Sequence, residues 1–194
     1  MELTILYINL KDVHYYEFAQ PCNYDWCAML IIYRPPRRST TKDRTKAVPA
    51  IGVTNATIAD GRWVYMPMVD IDTHEDAQAI INRIEKLFPG APYLVQRTGR
   101  GMHVFVAYPT TPTRALKLSA MIPPKTSRDN GWIRIYRIRM AQGLPYMGVI
   151  RIHGKYEKND IETVKIYAPD DKPESNWILN VHRAYLSLNF LATP

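Results

Sequence analysis

The chain has 194 residues, of which 46% are hydrophobic and 22% are charged. This composition excludes a fibrous or disordered protein and predicts a single globular domain over 1–194. No run approaches the ~18 consecutive apolar residues of a membrane span, and the N-terminus lacks the pattern of a signal peptide. We therefore expect an intracellular, cytoplasmic protein with no membrane partner. The formal net charge of +7 favours a polyanionic partner.

The first part of the chain predicts two strands followed by a basic loop. Segments TILYINL and WCAMLIIY are rich in β-branched and aromatic residues, which is typical of strands. Cys22 and Cys27 bound the segment CNYDWC, which overlaps the start of the second strand and whose spacing is not that of a zinc finger. Buried thiols are the favoured interpretation; a metal site that includes His14 and a local disulfide stay open. The loop over 34–46, which contains Arg37 and Arg38, is either a solvated loop or a phosphate-binding arm.

The central part predicts a strand, a helix and a hairpin. RWVYMPMVDID is expected to form one strand, and THEDAQAIINRIEKLFPG then changes to helical periodicity, with Thr73 as the predicted N-cap. Pro89 and Gly90 end the predicted helix. YLVQRT and MHVFVAY read as two strands joined by the tight turn GRG.

The last part of the chain predicts a short helix over 114–121. The segment over 129–143 fits either a strand or a helix. YMGVIRIHG and ETVKIYA are predicted to be two strands that pair with each other. A closing helix over 176–190 carries Ile178, Val181, Tyr185 and Leu188 on one side. This irregular alternation of strands and helices predicts an α+β fold with a largely antiparallel or mixed sheet.

Asp70 and Asp72 lie two positions apart at the end of an apolar strand. Their side chains leave the same face of that strand, where two carboxylates disfavour joint ionisation unless a cation offsets their charge. Mg²⁺ and Mn²⁺ prefer such oxygen ligands. The competing interpretation is that these acids cap the following helix.

Two further segments carry candidate phosphate ligands. In RTGRGMH, the glycines permit positive φ and a close approach to a ligand, and Thr98, Arg100 and His103 offer groups suited to phosphate oxygens. In VIRIHGK, Arg151 and His153 are expected to share one face of a strand. An ordinary hairpin turn and an ordinary half-exposed strand are the respective alternatives.

The order MVDID, TGRGMH and VIRIHGK resembles the archaeo-eukaryotic primase superfamily, which includes primase small catalytic subunits and the primase-polymerases of plasmids and viruses. The resemblance covers about 63–156. It implies a small α/β lobe packed on an RRM-like sheet, with the active site in the cleft between them. It also implies a DNA primase or primase-polymerase that extends primers on a single-stranded DNA template from nucleoside triphosphates, with a helicase or large primase subunit supplied in trans. The same resemblance implies a role in replication of an archaeal chromosome or a mobile element. It also implies a location at the nucleoid.

The resemblance assigns roles to individual residues. Asp70 and Asp72 would hold two Mg²⁺ or Mn²⁺ ions, and together with His103 they are the expected catalytic residues. The nucleotide-binding residues would be Thr98, Gly99, Arg100, His103, Arg151 and Lys155. The template backbone would be bound by a basic surface that includes Arg37, Arg38, Arg134 and Arg137, with Arg139 beside them.

The chain departs from the family pattern at one point. The family usually supplies a third carboxylate on or near the third-motif strand, and GLPYMGVIRIHGK contains no acid. Asp129 is a candidate substitute. The departure leaves open a nucleic-acid-binding protein without catalysis on the same scaffold, and a metal-dependent nuclease that uses Asp70, Asp72 and His103 is the third hypothesis.

Overall fold

The structure is a computed structural model that describes residues 4–10, 13–19, 23–33, 50–73, 75–99, 101–124, 130–144, 146–153 and 161–190. Its elements in chain order are β1 (Thr4–Leu10), β2 (Val13–Ala19), β3 (Leu30–Tyr33), β4 (Ala50–Thr54), β5 (Ala56–Ala59), β6 (Arg62–Tyr65), β7 (Met68–Ile71), α1 (Ala77–Leu87), β8 (Tyr93–Thr98), β9 (Gly101–Val106), α2 (Pro112–Ser119), α3 (Asn130–Ala141), β10 (Val149–His153), β11 (Glu162–Tyr167) and α4 (Ser175–Phe190). Together these helices and antiparallel sheets confirm the α+β class.

The strands form two large sheets whose chain paths interleave. A five-stranded sheet has the order β1-β2-β3-β4-β10, and a four-stranded sheet has the order β11-β8-β9-β7. The chain leaves the first sheet after β4, returns to it for β10, and leaves it again for β11. Strands β10 and β11 pair with β4 and β8, respectively, so the prediction that they pair with each other is wrong.

A separate two-stranded hairpin, β5–β6, precedes the strand that carries Asp70. Its turn residues, Asp60 and Gly61, have φ of 49° and 69°, which is the conformation of a two-residue type I′ turn. The single strand predicted for RWVYMPMVDID is therefore wrong: it divides into β6 and β7. Pro67, which has no N–H to donate to a sheet, lies at the break, and the N–H of Met66 donates to the carbonyl of Asn55 at 2.8 Å.

Helix α1 covers one face of the four-stranded sheet. Its buried residues Ile80, Ile81 and Ile84 pack in one apolar cluster with Val69 and Ile71 of β7. This arrangement follows from the helical periodicity of the segment, and it leaves the residue between Val69 and Ile71 on the opposite face.

The N-terminus of α1 differs from the prediction. Asp76, not Thr73, is the N-cap: its backbone is extended and its carboxylate accepts from the N–H of Gln78 at 3.1 Å. Thr73 instead donates through its hydroxyl to Glu75. The helix starts at Ala77, one turn later than the Thr73 cap implies.

The main core lies between the two sheets, on the face opposite α1. Met68, Leu94 and Phe105 of the four-stranded sheet pack there with Val53 and Ile150 of the five-stranded sheet. Helices α3 and α4 complete this core with Trp132, Tyr136, Trp177, Ile178, Val181 and Tyr185. The segment for which the sequence allowed either a strand or a helix is therefore helical and forms α3. Its bulky apolar residues repeat at helical spacing and pack against this core.

Asn55 joins three parts of this core through hydrogen bonds. Its Oδ1 accepts from the N–H groups of Met147 and Gly148 at 3.1 and 2.8 Å, and its Nδ2 donates to the hydroxyl of Tyr136 at 2.9 Å. The side chain is fully buried, so these three bonds satisfy polar groups that water does not reach.

Cys27 is buried, as expected, but it is disulfide-bonded. The favoured interpretation of free thiols is therefore wrong for this residue; Cys22 lies outside the described residues. Among the helices that the structure describes, none has the length and apolar character needed to cross a membrane.

Candidate active site

Two neighbouring strands bring Asp70 and His103 together. In the antiparallel pair β7–β9, Asp70 lies directly opposite His103. The Nε2 atom of His103 is 3.4 Å from Oδ1 of Asp70, which is longer than a typical N–H···O bond but within electrostatic contact. The His103 side chain is 6% exposed, whereas the Asp70 side chain is 27% exposed. The pair therefore has one buried member and one that solvent or a ligand reaches.

Asp72 follows the last residue of β7 and is exposed. It does not serve as the N-cap of α1, because that position is occupied by Asp76. The capping interpretation, which competed with metal binding in the sequence, is therefore wrong for Asp72. The partly exposed Asp70 and the exposed Asp72 present carboxylate oxygens at the end of the strand, and such oxygens suit hard divalent cations.

The turn between β8 and β9 lies at the same end of the sheet as Asp72. Thr98 pairs with Gly101 as expected for a tight hairpin, and the Thr98 hydroxyl accepts from the N–H of Gly101 at 3.1 Å. Positive φ at Gly99 or Gly101 was expected, and neither residue has it. Gly101 is required for another reason: a Cβ there would lie 1.7 Å from the carbonyl oxygen of Ile71.

A cleft of about 270 Å³ opens beside this turn. It is lined by Thr73, Glu75, Arg97, Gly101 and Met102. Met102 packs in the apolar cluster beneath α1 and pairs with Arg97, so these side chains alternate with those of His103 and Gln96. The cleft therefore lies on the α1 face of the sheet, whereas Asp70 and His103 lie on the opposite face.

Tyr185 of α4 contacts His103 from the opposite side to Asp70. Its hydroxyl is 2.6 Å from Nδ1 of His103, and its side chain is fully buried. Burial, and to a smaller extent the charge of Asp70, raise the pKa of Tyr185 well above its ordinary value. The sequence placed Tyr185 in the apolar stripe of the closing helix. The signal that could have identified this contact was a hydroxyl in an apolar stripe. A buried hydroxyl needs a hydrogen-bond partner, so Tyr185 predicts a polar group beside the helix.

Gln96 lies beside His103 on the next strand, directly opposite it in the β8–β9 pair. It is 1% exposed, and its Oε1 is buried without a hydrogen-bond partner among the described residues. Sequence reasoning missed this residue, because a single Gln within a strand carries no pattern that distinguishes it.

The other predicted ligands are not all brought to this face. Ile150 pairs with Val53 and packs in the main core, so the neighbouring Arg151, opposite Gly52, lies on the other face of β10. The structure thus does not bring Arg151 together with Asp70. A bulge interrupts the register between Arg151 and His153.

The three arginines of α3 divide into two groups. Arg134 and Arg137 are exposed one turn apart, as a template-binding surface requires. Arg139 is 4% exposed and lies over the ring of Tyr146 at 5.8 Å, so its expected place on the basic surface is wrong. Burial of its side chain makes it part of the core.

Several predicted residues lie outside the described part of the chain. They are Arg37, Arg38, Arg100, Asp129 and Lys155. Among the residues that the structure describes, no group of three or more His, Cys, Asp or Glu side chains is arranged to hold a metal ion. Asp70 and Asp72, the predicted metal ligands, both lie within the described residues.

Comparison with known proteins assigns no family to the chain: no protein-family model, no curated protein and no solved structure matches it.

Proposed function

We propose that the protein is a metal-dependent primase-polymerase, which adds nucleotides to a primer on a single-stranded DNA template. The observation that carries the proposal is the direct pairing of Asp70 with His103 across β7 and β9, with their side chains 3.4 Å apart. It joins the acid-x-acid segment and the TGRGMH segment, which are distant in sequence, in one site.

The charge at the end of β7 supports a divalent cation. Asp70 is only partly exposed, so its ionised carboxylate loses some solvation, and Asp72 adds a second negative charge two residues on. Mg²⁺ or Mn²⁺ would offset both charges, and Asp70 and Asp72 would hold it through carboxylate oxygens. Bound there, the metal would supply stabilisation of the attacking and leaving oxygens in phosphoryl transfer.

The turn between β8 and β9 supports a triphosphate substrate. Thr98 alternates with the cleft-lining Arg97, so its side chain leaves the same face of the sheet as His103. His103, with Thr98, Gly99 and Arg100 of the turn, would bind the phosphates of the incoming nucleotide. The exposed Arg134 and Arg137 would contact the template backbone, since phosphate contacts of this kind need no base recognition.

Primer extension tests this proposal. A labelled primer on a single-stranded template is incubated with deoxyribonucleotides or ribonucleotides and with Mg²⁺ or Mn²⁺. Asp70→Asn and Asp72→Asn, which keep the side-chain volume but remove the charge, are each expected to lower extension by about 100-fold or more. Asp170→Asn, at an exposed position before α4, is the matched control and is expected to extend normally.

The same assay separates the alternative functions. Normal nucleotide incorporation by a correctly folded protein that carries both substitutions would contradict the proposal. Salt-dependent binding of the template without extension under either metal indicates a nucleic-acid-binding protein. Shortening of the labelled strand in the absence of nucleotides indicates a nuclease.

A further inference from the structure

The hydroxyl of Tyr185 has one hydrogen-bond partner among the described residues, the Nδ1 atom of His103 at 2.6 Å. Tyr185 is 2% exposed, so water does not substitute for that partner. Its ring also lies 6.1 Å from the imidazole, measured between centroids. The hydroxyl and the imidazole are therefore held against each other by the packing of α4 on the four-stranded sheet.

One proton arrangement satisfies both sides of the imidazole. An ionised Asp70 carboxylate only accepts hydrogen bonds, so the His103 nitrogen that faces it, Nε2, carries the proton. The Nδ1 atom of a neutral ring then has a lone pair, which accepts the hydroxyl proton of Tyr185. In the opposite tautomer, a bare Nε2 would face the carboxylate, and the hydroxyl proton would lack its acceptor.

We propose that Tyr185 is a positioning residue that holds His103 in the Nε2–H tautomer and fixes the orientation of its ring. This inference rests on the proposed function, in which His103 contacts the phosphates of the nucleotide. A donor on Nε2 points its N–H toward the partly exposed Asp70 side of the site. Tyr185 would thus determine that the imidazole presents a donor, not a lone pair, to the Asp70 carboxylate and to an anionic phosphate oxygen that approaches beside it.

The placement of α4 supports this role. His182, one turn before Tyr185, lies with its Nε2 3.1 Å from the hydroxyl of Thr163 on the edge strand β11. Thr163 pairs with Gln96, and Gln96 pairs with His103. The helix therefore contacts the four-stranded sheet at two points in the same row of residues, and this fixes the position of the Tyr185 hydroxyl over His103.

The tautomer of His103 is measured directly by nuclear magnetic resonance. Long-range ¹H–¹⁵N spectra of the labelled protein, recorded where the imidazole is neutral, distinguish protonated from bare ring nitrogens. The chain has five histidines, and the signals of His103 are assigned by their loss in His103→Gln. Unmodified protein is expected to show the Nε2–H tautomer. Tyr185→Phe is expected to raise the ratio of Nδ1–H to Nε2–H about fivefold, as for the loss of one hydrogen bond.

Tyr136→Phe is the matched control, because it also deletes a buried, hydrogen-bonded phenol hydroxyl in the main core but leaves His103 untouched. An unchanged His103 ratio in this variant, with a shifted ratio in Tyr185→Phe, supports the proposal. The Nδ1–H tautomer in the unmodified protein overturns it without any variant. Equal ratios in Tyr185→Phe and the unmodified protein, or equal shifts in both variants, also overturn it. None of these readings depends on polymerase activity, so a failure here is distinct from failure of the proposed function.

Discussion

Replacing Gly101 with alanine tests the close approach of β9 to the end of β7. The added Cβ would lie 1.7 Å from the carbonyl oxygen of Ile71 and 2.8 Å from its carbonyl carbon. Both neighbours are backbone atoms, so no side-chain rotation relieves the contact. The two strands would have to separate by more than about 1 Å at this point, which breaks their hydrogen bonding beside Asp70 and His103.

The expected cost combines overpacking with a lost backbone hydrogen bond. We expect Gly101→Ala to lower the free energy of unfolding by about 3 kcal/mol. For a chain of this length the corresponding fall in Tm is about 6–12 °C. Urea denaturation, followed by tryptophan fluorescence and by far-ultraviolet circular dichroism, measures the change.

Gly99→Ala, in the same turn, is the matched control. A Cβ at Gly99 meets no atom within 4 Å, and the residue does not have positive φ. We expect its free energy of unfolding to lie within about 0.5 kcal/mol of the original protein. A Gly101→Ala protein as stable as the Gly99→Ala protein would refute the reasoning, because it would show that β7 and β9 are not packed this closely.

Three further predictions concern stability. Asn55→Ala leaves two buried backbone N–H groups without an acceptor, so it is expected to lower the free energy of unfolding, measured by urea denaturation, by about 3 kcal/mol or more. Asn82→Ala, on the exposed face of α1, is the control and is expected to lower it by less than about 1 kcal/mol. Asp76→Ala removes the N-cap of α1 and is expected to cost about 1 kcal/mol, and Asp76→Ser is expected to restore most of that loss in the same measurement. Burial raises the pKa of Tyr136 and Tyr185 above 10.0, so folding favours the protonated phenols, and the stability that they contribute is complete below about pH 10 and falls as the pH rises further. The measurement is a pH titration followed by tyrosinate absorbance and by circular dichroism. Ionisation of these two tyrosines at a pH below that at which the circular dichroism signal changes would contradict this last prediction.

Local patterns in the sequence predicted the elements nearest to the candidate site. The helical repeat of Ile80, Ile81 and Ile84 indicated α1, and the glycine-containing turn between Thr98 and Gly101 indicated the β8–β9 hairpin. Both depend on interactions between residues that are close in the chain, where periodicity and turn chemistry dominate. The direct pairing of Asp70 with His103, by contrast, depends on the register of two strands that local patterns do not specify.

Other features of the fold were not predicted, either because a local sequence signal was overlooked or because the feature depends on contacts between distant residues. Asp60 and Gly61 form the kind of dipeptide that predicts a type I′ hairpin, and this signal should have identified β5 and β6. Pro67, which has no N–H to donate to a sheet, should have divided the strand predicted over 62–72. The pairing of β10 with β4 has no local signature, because the partner of a strand is chosen by packing of the whole core. The contact of Tyr185 with His103 also joins distant segments, so it required the fold.

The interleaved path of the two sheets has a consequence for folding. Because β10 completes one sheet and the next strand, β11, completes the other, neither sheet is a continuous stretch of chain that could be separated as an independent unit. Many native contacts therefore join residues far apart in sequence, and such contacts form late and slow the folding reaction. The two sheets also share one apolar core, so loss of either exposes the buried face of the other. We expect a single cooperative unfolding transition, in which the carboxylates at the end of β7 lose their arrangement at the same denaturant concentration as the distant five-stranded sheet.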